Sequence, residues 1–307
     1  MTSNRIKRIL KGDVAAVARL MSLIENRDRE ARALLSALYP HTGRAHVIGV
    51  TGAAGTGKSS LIDRMTAEYR RRKKNVGILA VDPSSFFSTG ALLGDRIRMR
   101  DHFLDGGVFI RSFATRGHSG GVSAALREAI HLLDAVGKEV IFVETIGVGQ
   151  DELEIAALAH TVLVVLTPQM GDEVQGMKAG LTEIADVLVV NKADFSGADE
   201  TVQQLKALFR DSDIFIVPTS ALKNEGIHAL ADSIEECRTK SLRNGNYQKQ
   251  RLNLCRQELL SLLREKVFAE LAKKIGDDSF ERQVKLIAER EIDPYTAVEA
   301  IAKKVGL

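Results

Sequence analysis

The stretch HVIGVTGAAGTGKSS, residues 46–60, constrains the fold more than any other part of this chain. Within it Gly52-Ala53-Ala54-Gly55-Thr56-Gly57-Lys58-Ser59 satisfies G-x4-G-K-[ST], directly after a β-branched apolar run and directly before a helical pattern. Glycines at this spacing let successive backbone N–H groups turn inward around phosphate oxygens, at a helix N-terminus whose dipole favours an anion. Such a loop works only between a strand and a helix, so the motif commits this part of the chain to a β-loop-α unit. Lys58 would neutralise the outer phosphates, and the Ser59 hydroxyl would bind Mg2+. An incidental glycine-rich turn does not account for the flanking strand and helix.

Seven apolar runs extend the pattern: residues 46–52, 75–83, 107–113, 139–145, 161–168, 187–194 and 213–220. Most are continuous rather than alternating, as in strands covered on both faces of a parallel sheet. Helical patterns fall between them at about 58–73, 121–136, 173–185 and 198–210. The expected fold is therefore α/β, a mostly parallel phosphate-loop NTPase sheet flanked by helices, with ligands at the carboxyl ends of strands. Ahead of it, Val14, Val17, Met21, Ile24, Leu34, Leu35 and Leu38 recur at helical spacing, interrupted near Asp28. They imply two or three short helices closed by Pro40 and Gly43. Strand signals cease after residue 225; Leu252, Leu259, Leu263, Val267 and Leu271 then stripe a long charged helix, and a last short helix follows Pro294. The stripe fits an intramolecular core or a seam between two copies. The expected organisation is a helical extension over 1–43, a nucleotide-binding domain over 44–240 and a helical extension over 241–307.

The phosphate loop does not choose a base; Asn191-Lys192-Ala193-Asp194 does, matching N-K-x-D at the end of another predicted strand. Guanine presents N1–H and the N2 amino group side by side, and one aspartate accepts both. Adenine lacks that pair, so Asp194 would discriminate by leaving a charge unsatisfied. Asn191 would brace the loops, and Lys192 would lie along the base. Ser220-Ala221-Leu222, after the last strand, fits a loop donating backbone N–H to the guanine O6. Three acids are candidates for Mg2+ or its waters beside Ser59: Asp82, Asp95 and Glu144, two of them at ends of buried runs where an unpaired charge is costly. Lys58, Asp95 and Glu144 are the candidate catalytic groups, acting by charge neutralisation and metal binding. No general base stands out. Arg111, Arg116 and His118 fit contact with phosphate, a partner or an acyl group, and equally fit solvated loops.

Bulk properties exclude several classes. In 307 residues a net charge of +3 demands neither nucleic acid nor an anionic membrane. The basic run Arg70-Arg71-Arg72-Lys73-Lys74 sits at a helix C-terminus, where the dipole favours cations on a solvated face. Cys237 and Cys255 lack metal-site spacing and read as free thiols in a reducing compartment. With no apolar run of membrane-spanning length and no apolar signal core, a cytoplasmic location is expected.

The V-D-P-S-S around Asp82, GDRIRM (94–99), FIRSFATRGHSGG (109–121), VETIGVGQDE (143–152), PQMGDEVQGMKAG (168–180) and NKAD (191–194) together resemble the MeaB/ArgK family. The resemblance runs from the N-terminal helices to DPYTAVEAI (293–301). It implies a GTPase of the SIMIBI class that hydrolyses GTP to GDP and serves as chaperone to an adenosylcobalamin-dependent acyl-CoA mutase, chiefly methylmalonyl-CoA mutase. Such a chaperone gates cofactor loading and protects or reactivates the mutase. The phosphate loop then extends from Gly52 to Ser60. The segment around Asp95 becomes a first switch, 144–152 a second, with Gly147, Gly149 and Gln150, and 169–180 a third, with Gln175 and Lys178. Homodimers built partly by C-terminal helices are implied as well. Other labels remain open: a kinase acting on periplasmic amino-acid-binding proteins, which NKAD disfavours, a metal-insertion GTPase, and a non-enzymatic scaffold dimer.

Overall fold

Continuous apolar strands need cover on both faces, and the fold supplies it with helices on each side of one sheet. The computed structural model describes residues 2–82, 102, 104–114, 121–145, 157–168, 180 and 184–306. Its contacts divide the chain into two units, Met1–Gln250 and Arg251–Leu307. Among the described residues the first contains seven strands: β1 His46–Thr51, β2 Val76–Asp82, β3 Val108–Ala114, β4 Val140–Glu144, β5 Thr161–Leu166, β6 Val187–Val190 and β7 Phe215–Pro218. Each corresponds to one of the apolar runs. All pairings are parallel, in the order β3-β2-β4-β1-β5-β6-β7. The order reverses about β1: β2 to β4 lie to one side and β5 to β7 to the other. Such a reversal opens a crevice beyond the strands' carboxyl ends.

Helices of the first unit are α1 Thr2–Leu10, α2 Val14–Glu25, α3 Arg29–Leu38, α4 Lys58–Arg71, α5 Gly121–Ala135, α6 Ala198–Leu208 and α7 Ile227–Arg243. The helix expected at 173–185 lies almost wholly outside the described residues. Side chains alternate between sheet faces with the two-residue strand period. Ile48, Val50, Phe142, Leu163 and Val165 meet Leu61, Ile62 and Met65 of α4 and Leu230 and Ile234 of α7. On the other face Val47, Leu79, Val81, Ile141 and Val143 meet α1, α2, α3 and α5. Val162, Val164, Leu188 and Val190 meet α6 at the far end of that face.

The interruption near Asp28 has a local cause. Asp13 accepts from Ala16 N–H at 3.0 Å and Asp28 from Glu30 N–H at 2.8 Å, so each acid caps the helix that follows it. Each cap contributes about 1 kcal/mol. Arg111 on β3 pairs with Glu25 and donates to Ser22 Oγ, both on α2. It ties the N-terminal helices to the sheet. Arg116 and His118 lie outside the described residues.

Helix α8, Asn246–Ile275, begins in the first unit, where Tyr247 stacks on His160 and Gln250 donates to the Ala159 carbonyl at 3.1 Å. No residue of α8 is buried. In the second unit, α9 Asp277–Ala288 and α10 Pro294–Val305 follow. Asp293 caps α10, accepting from Tyr295 and Thr296 N–H at 2.8 and 3.0 Å. Among the described residues no helix is long and apolar enough to cross a membrane.

Beneath the sheet, His46 opens β1 with its Nε2 2.9 Å from Thr161 Oγ1. Burial, with Arg238 and His160 nearby, lowers its pKa to about 3 from 6.5. The folded state therefore holds it neutral while the unfolded chain takes up a proton below pH 6.5. Stability from this group is full above that pH and is lost as pH falls towards 3. At pH 4.5 the loss is about 2–3 kcal/mol. Urea unfolding of wild type and His46→Gln across pH 7.5 to 4.5 should show a visibly shallower acid decline in the variant.

Candidate nucleotide-binding site

The carboxyl ends of β1, β4, β6 and β7 bring together most of the residues that the motifs single out. β1 runs into the phosphate loop, which ends on α4 with Gly57 at its N-cap. Gly52 adopts φ +136°, and a Cβ there would sit 2.2 Å from the Val165 carbonyl oxygen, so only glycine fits. Gly57, at φ +90°, passes so close to Asn191 that a Cβ would lie 2.5 Å from its Nδ2. The loop is thus pressed onto the neighbouring strand ends. Ala54, Gly55 and Ser60 face solvent, whereas Thr56, Lys58 and Ser59 are buried. Thr56 Oγ1 donates to the Ala53 carbonyl at 2.9 Å, closing the loop on itself. The Lys58 ammonium donates to the carbonyls of Gly52 at 2.7 Å and Ala53 at 3.1 Å.

Glu144 ends β4 between β1 and β2, in register with Val50 and Ala80. Its carboxylate accepts from Ser59 Oγ at 2.7 Å, and both side chains are buried. Behind them Thr145 Oγ1 and Thr51 Oγ1 are hydrogen-bonded at 3.1 Å. A buried serine hydroxyl hydrogen-bonded to a buried carboxylate fits the oxygen-donor chemistry that Mg2+ requires. Asp82 ends β2 on the far side of β4, in register with Ala114. Asp95, Gly147, Gly149, Gln150, Gln175 and Lys178 lie outside the described residues.

The base-side motifs meet the phosphate loop through one side chain. Asn191, 2% exposed, donates from Nδ2 to the Thr56 carbonyl at 2.8 Å. Its Oδ1 accepts from Thr219 Oγ1 and from Ala221 N–H, both at 3.2 Å. Three loops are thereby joined at a single carboxamide. The chain then turns sharply: Lys192 takes a left-handed φ of 59°, and Ala193 N–H donates to the Thr219 carbonyl at 2.9 Å. Asp194 accepts from Ser220 Oγ at 2.7 Å, and this bond holds its carboxyl below the usual aspartate range. Ser220 and Glu225 exchange backbone hydrogen bonds at 3.0 and 3.1 Å, which close the loop holding Ala221 and Leu222. Leu222 projects into solvent, 81% exposed.

Thr219 and Arg64 belong to this assembly, and the motifs do not single them out. Arg64, on α4, donates from Nε to the Ala221 carbonyl at 3.0 Å. A threonine immediately before S-A-L is a readable signal for the first; nothing in the local sequence marks the second. The basic run behind α4 is occupied by intramolecular pairs: Arg70 with Asp105, Arg72 with Glu68 and Asp232, and Lys74 with Glu139.

Residues 17–275 match the family model described as methylmalonyl-CoA mutase-associated GTPase MeaB. This chain belongs to that family. A putative GTPase of Pyrococcus abyssi is 44% identical to it, covering 99% of this chain and 97% of its own length. The GTPase ArgK of Escherichia coli is 31% identical, covering 97% of this chain and 95% of its own. The crystal structure of an LAO/AO transport system kinase aligns with a TM-score of 0.71 at 26% identity, covering 100% of this chain and 98% of that one.

In this MeaB-family GTPase the contact between Gly57 and Asn191 is the tightest test of the assembly. Gly57→Ala combines a left-handed backbone with the 2.5 Å approach to Nδ2 and should break the bond to Thr56. The expected outcome is a loss of about 1–3 kcal/mol in urea unfolding and at least a tenfold loss of GDP affinity by fluorescent-nucleotide titration.

Proposed function

We propose that this protein hydrolyses GTP to GDP and uses the cycle to serve an adenosylcobalamin-dependent acyl-CoA mutase, methylmalonyl-CoA mutase foremost. The observation that carries the nucleotide half is the Asn191 junction, which brings Asp194 and the 220–222 loop to the mouth of the phosphate loop. The partner half rests on family membership, whose description names that mutase.

Gly52 to Ser60 would wrap the phosphates, with Lys58 exchanging its loop carbonyls for the outer phosphate oxygens. Asp194 would accept from guanine N1–H and N2, and Lys192 would lie along the base. Ser59 and Glu144 would hold Mg2+ or its waters, with Asp82 and Asp95 as further candidates; bound there, the ion supplies charge neutralisation at the phosphates. Hydrolysis is then positioning plus electrostatics, with water as nucleophile. The segments around Asp95, 144–152 and 169–180 would act as switches that the mutase orders, the third signalling through Gln175 and Lys178. Slow turnover alone and faster turnover with the mutase follow from that arrangement.

Turnover of GTP and ATP, each with and without methylmalonyl-CoA mutase, tests both halves. GTP should be preferred by at least a hundredfold, and mutase should raise its turnover. Asp194→Asn should weaken GDP binding by a hundredfold or more and restore binding to xanthosine diphosphate, whose C2 oxygen accepts what an amide donates. Likeness to a transport system kinase favours a second reading, phosphoryl transfer to a protein. ATP-dependent labelling of an amino-acid-binding protein that survives Asp194→Asn would favour it.

The homodimer belongs to the same proposal. Leu259, Leu263 and Val267 on α8 are 68%, 54% and 47% exposed, which supports the seam reading of the stripe. It would pair with a second copy. Leu259→Glu combined with Leu263→Glu should convert a dimer to a monomer in light scattering while leaving GDP affinity within about twofold, because burying like charges in such a seam is costly.

A further inference from the structure

Resting on the guanine-nucleotide reading, we propose that Arg64 is a positioning residue for base recognition, setting the direction of the backbone donor that meets the guanine O6. The loop Ser220-Ala221-Leu222-Lys223 offers few backbone N–H groups to a ligand. Ser220 N–H is used on the Glu225 carbonyl at 3.0 Å, and Lys223 N–H on Ser220 Oγ at 3.2 Å. Ala221 N–H is turned inward onto Asn191 Oδ1 at 3.2 Å. Leu222 N–H has no acceptor among the described residues, and its side chain stands in solvent at the rim.

A trans peptide is planar, with its C=O and N–H pointing in opposite directions, and this chain has no cis bond among the described residues. The Leu222 N–H therefore belongs to the same rigid unit as the Ala221 carbonyl. That carbonyl is held by Arg64 Nε at 3.0 Å. Fixing one end of the plane fixes the other, so a guanidinium on the phosphate-loop helix aims a donor away from itself. The two peptide planes flanking Ala221 then have separate anchors, Asn191 before it and Arg64 after it. Arg64 lies on the same helix as Lys58 and Ser59, so its grip also sets the distance between the phosphate-binding end and the base-reading loop. Arginine suits the task because its charge makes the hydrogen bond stronger than a neutral one and its planar head has a defined direction.

The test pairs Arg64 variants with guanine analogues altered at one atom. 6-Thioguanosine diphosphate replaces O6 with a weaker acceptor, and inosine diphosphate lacks the N2 amino group that Asp194 would read. Dissociation constants for GDP, both analogues and ADP are measured by competition against a fluorescent guanine nucleotide. In wild type, GDP should bind more tightly than 6-thio-GDP and IDP, and far more tightly than ADP. Arg64→Met, which keeps the aliphatic stem, should weaken GDP about 5- to 10-fold, the scale of one charge-assisted hydrogen bond. The GDP to 6-thio-GDP ratio should collapse towards one, while the GDP to IDP ratio stays as in wild type. Arg64→Lys should restore the ratio in part. In turnover the loss should fall on KM and leave kcat within about twofold. A general loosening of the fold would lower both ratios together, and that result overturns the inference, as does an unchanged ratio in a variant that binds GDP normally. Wild type indifferent between GDP and ADP would overturn the guanine reading itself; strong discrimination in wild type with unchanged variants would overturn the role of Arg64 alone.

Discussion

The site depends on one buried carboxamide. Asn191 offers a donor and an acceptor separated by a fixed planar geometry, and the fold uses both, one towards the phosphate loop and one towards the loop after β7. A buried amide that lost either partner would leave polar groups unsatisfied, at a cost of about 1–3 kcal/mol each. The loops are therefore held in register by mutual penalty as much as by attraction. Gly57 completes the arrangement by having no side chain where the amide nitrogen lies.

Below that junction, the parallel sheet explains why these residues are together at all. Parallel strands deliver all their carboxyl ends to one edge, and the reversal about β1 leaves β4 and β1 side by side there. Ser59 on the helix after β1 and Glu144 at the end of β4 are 85 positions apart in sequence yet share a hydrogen bond. The acid that closes an otherwise apolar strand receives the Ser59 hydroxyl on one of its carboxylate oxygens. Its neighbours beyond Thr145 belong to the segment that would report nucleotide state.

The strands are legible in the sequence because continuous apolar runs of this length have few other uses, and the phosphate loop and NKAD are legible because their chemistry needs contiguous residues. Pairings across distant segments are not. Arg64 contacts Ala221 at a separation of 157 positions, and no local pattern marks either. The apolar stripe of α8 looks the same in sequence whether it faces a core or a second copy. Arg111 is ambiguous for a related reason: a cation in a strand has no stated partner until Glu25 is brought across to it. The basic run of α4 is recognisable as a helix end, but its ion pairs with Asp105, Asp232 and Glu139 cannot be seen from spacing.

The carboxylate of Asp134 on α5 receives the backbone N–H groups of Gly43, Arg44 and Ala45, the connector between α3 and β1. This knot seats the three leading helices over Val47, Leu79, Val81, Ile141 and Val143. Those helices are consequently the waterproofing of the sheet rather than an appendage to it. Cutting the chain at the phosphate-loop strand to make a shorter GTPase would strip that cover from the sheet. The natural place to shorten this protein is at its other end, along α8, where no side chain is buried.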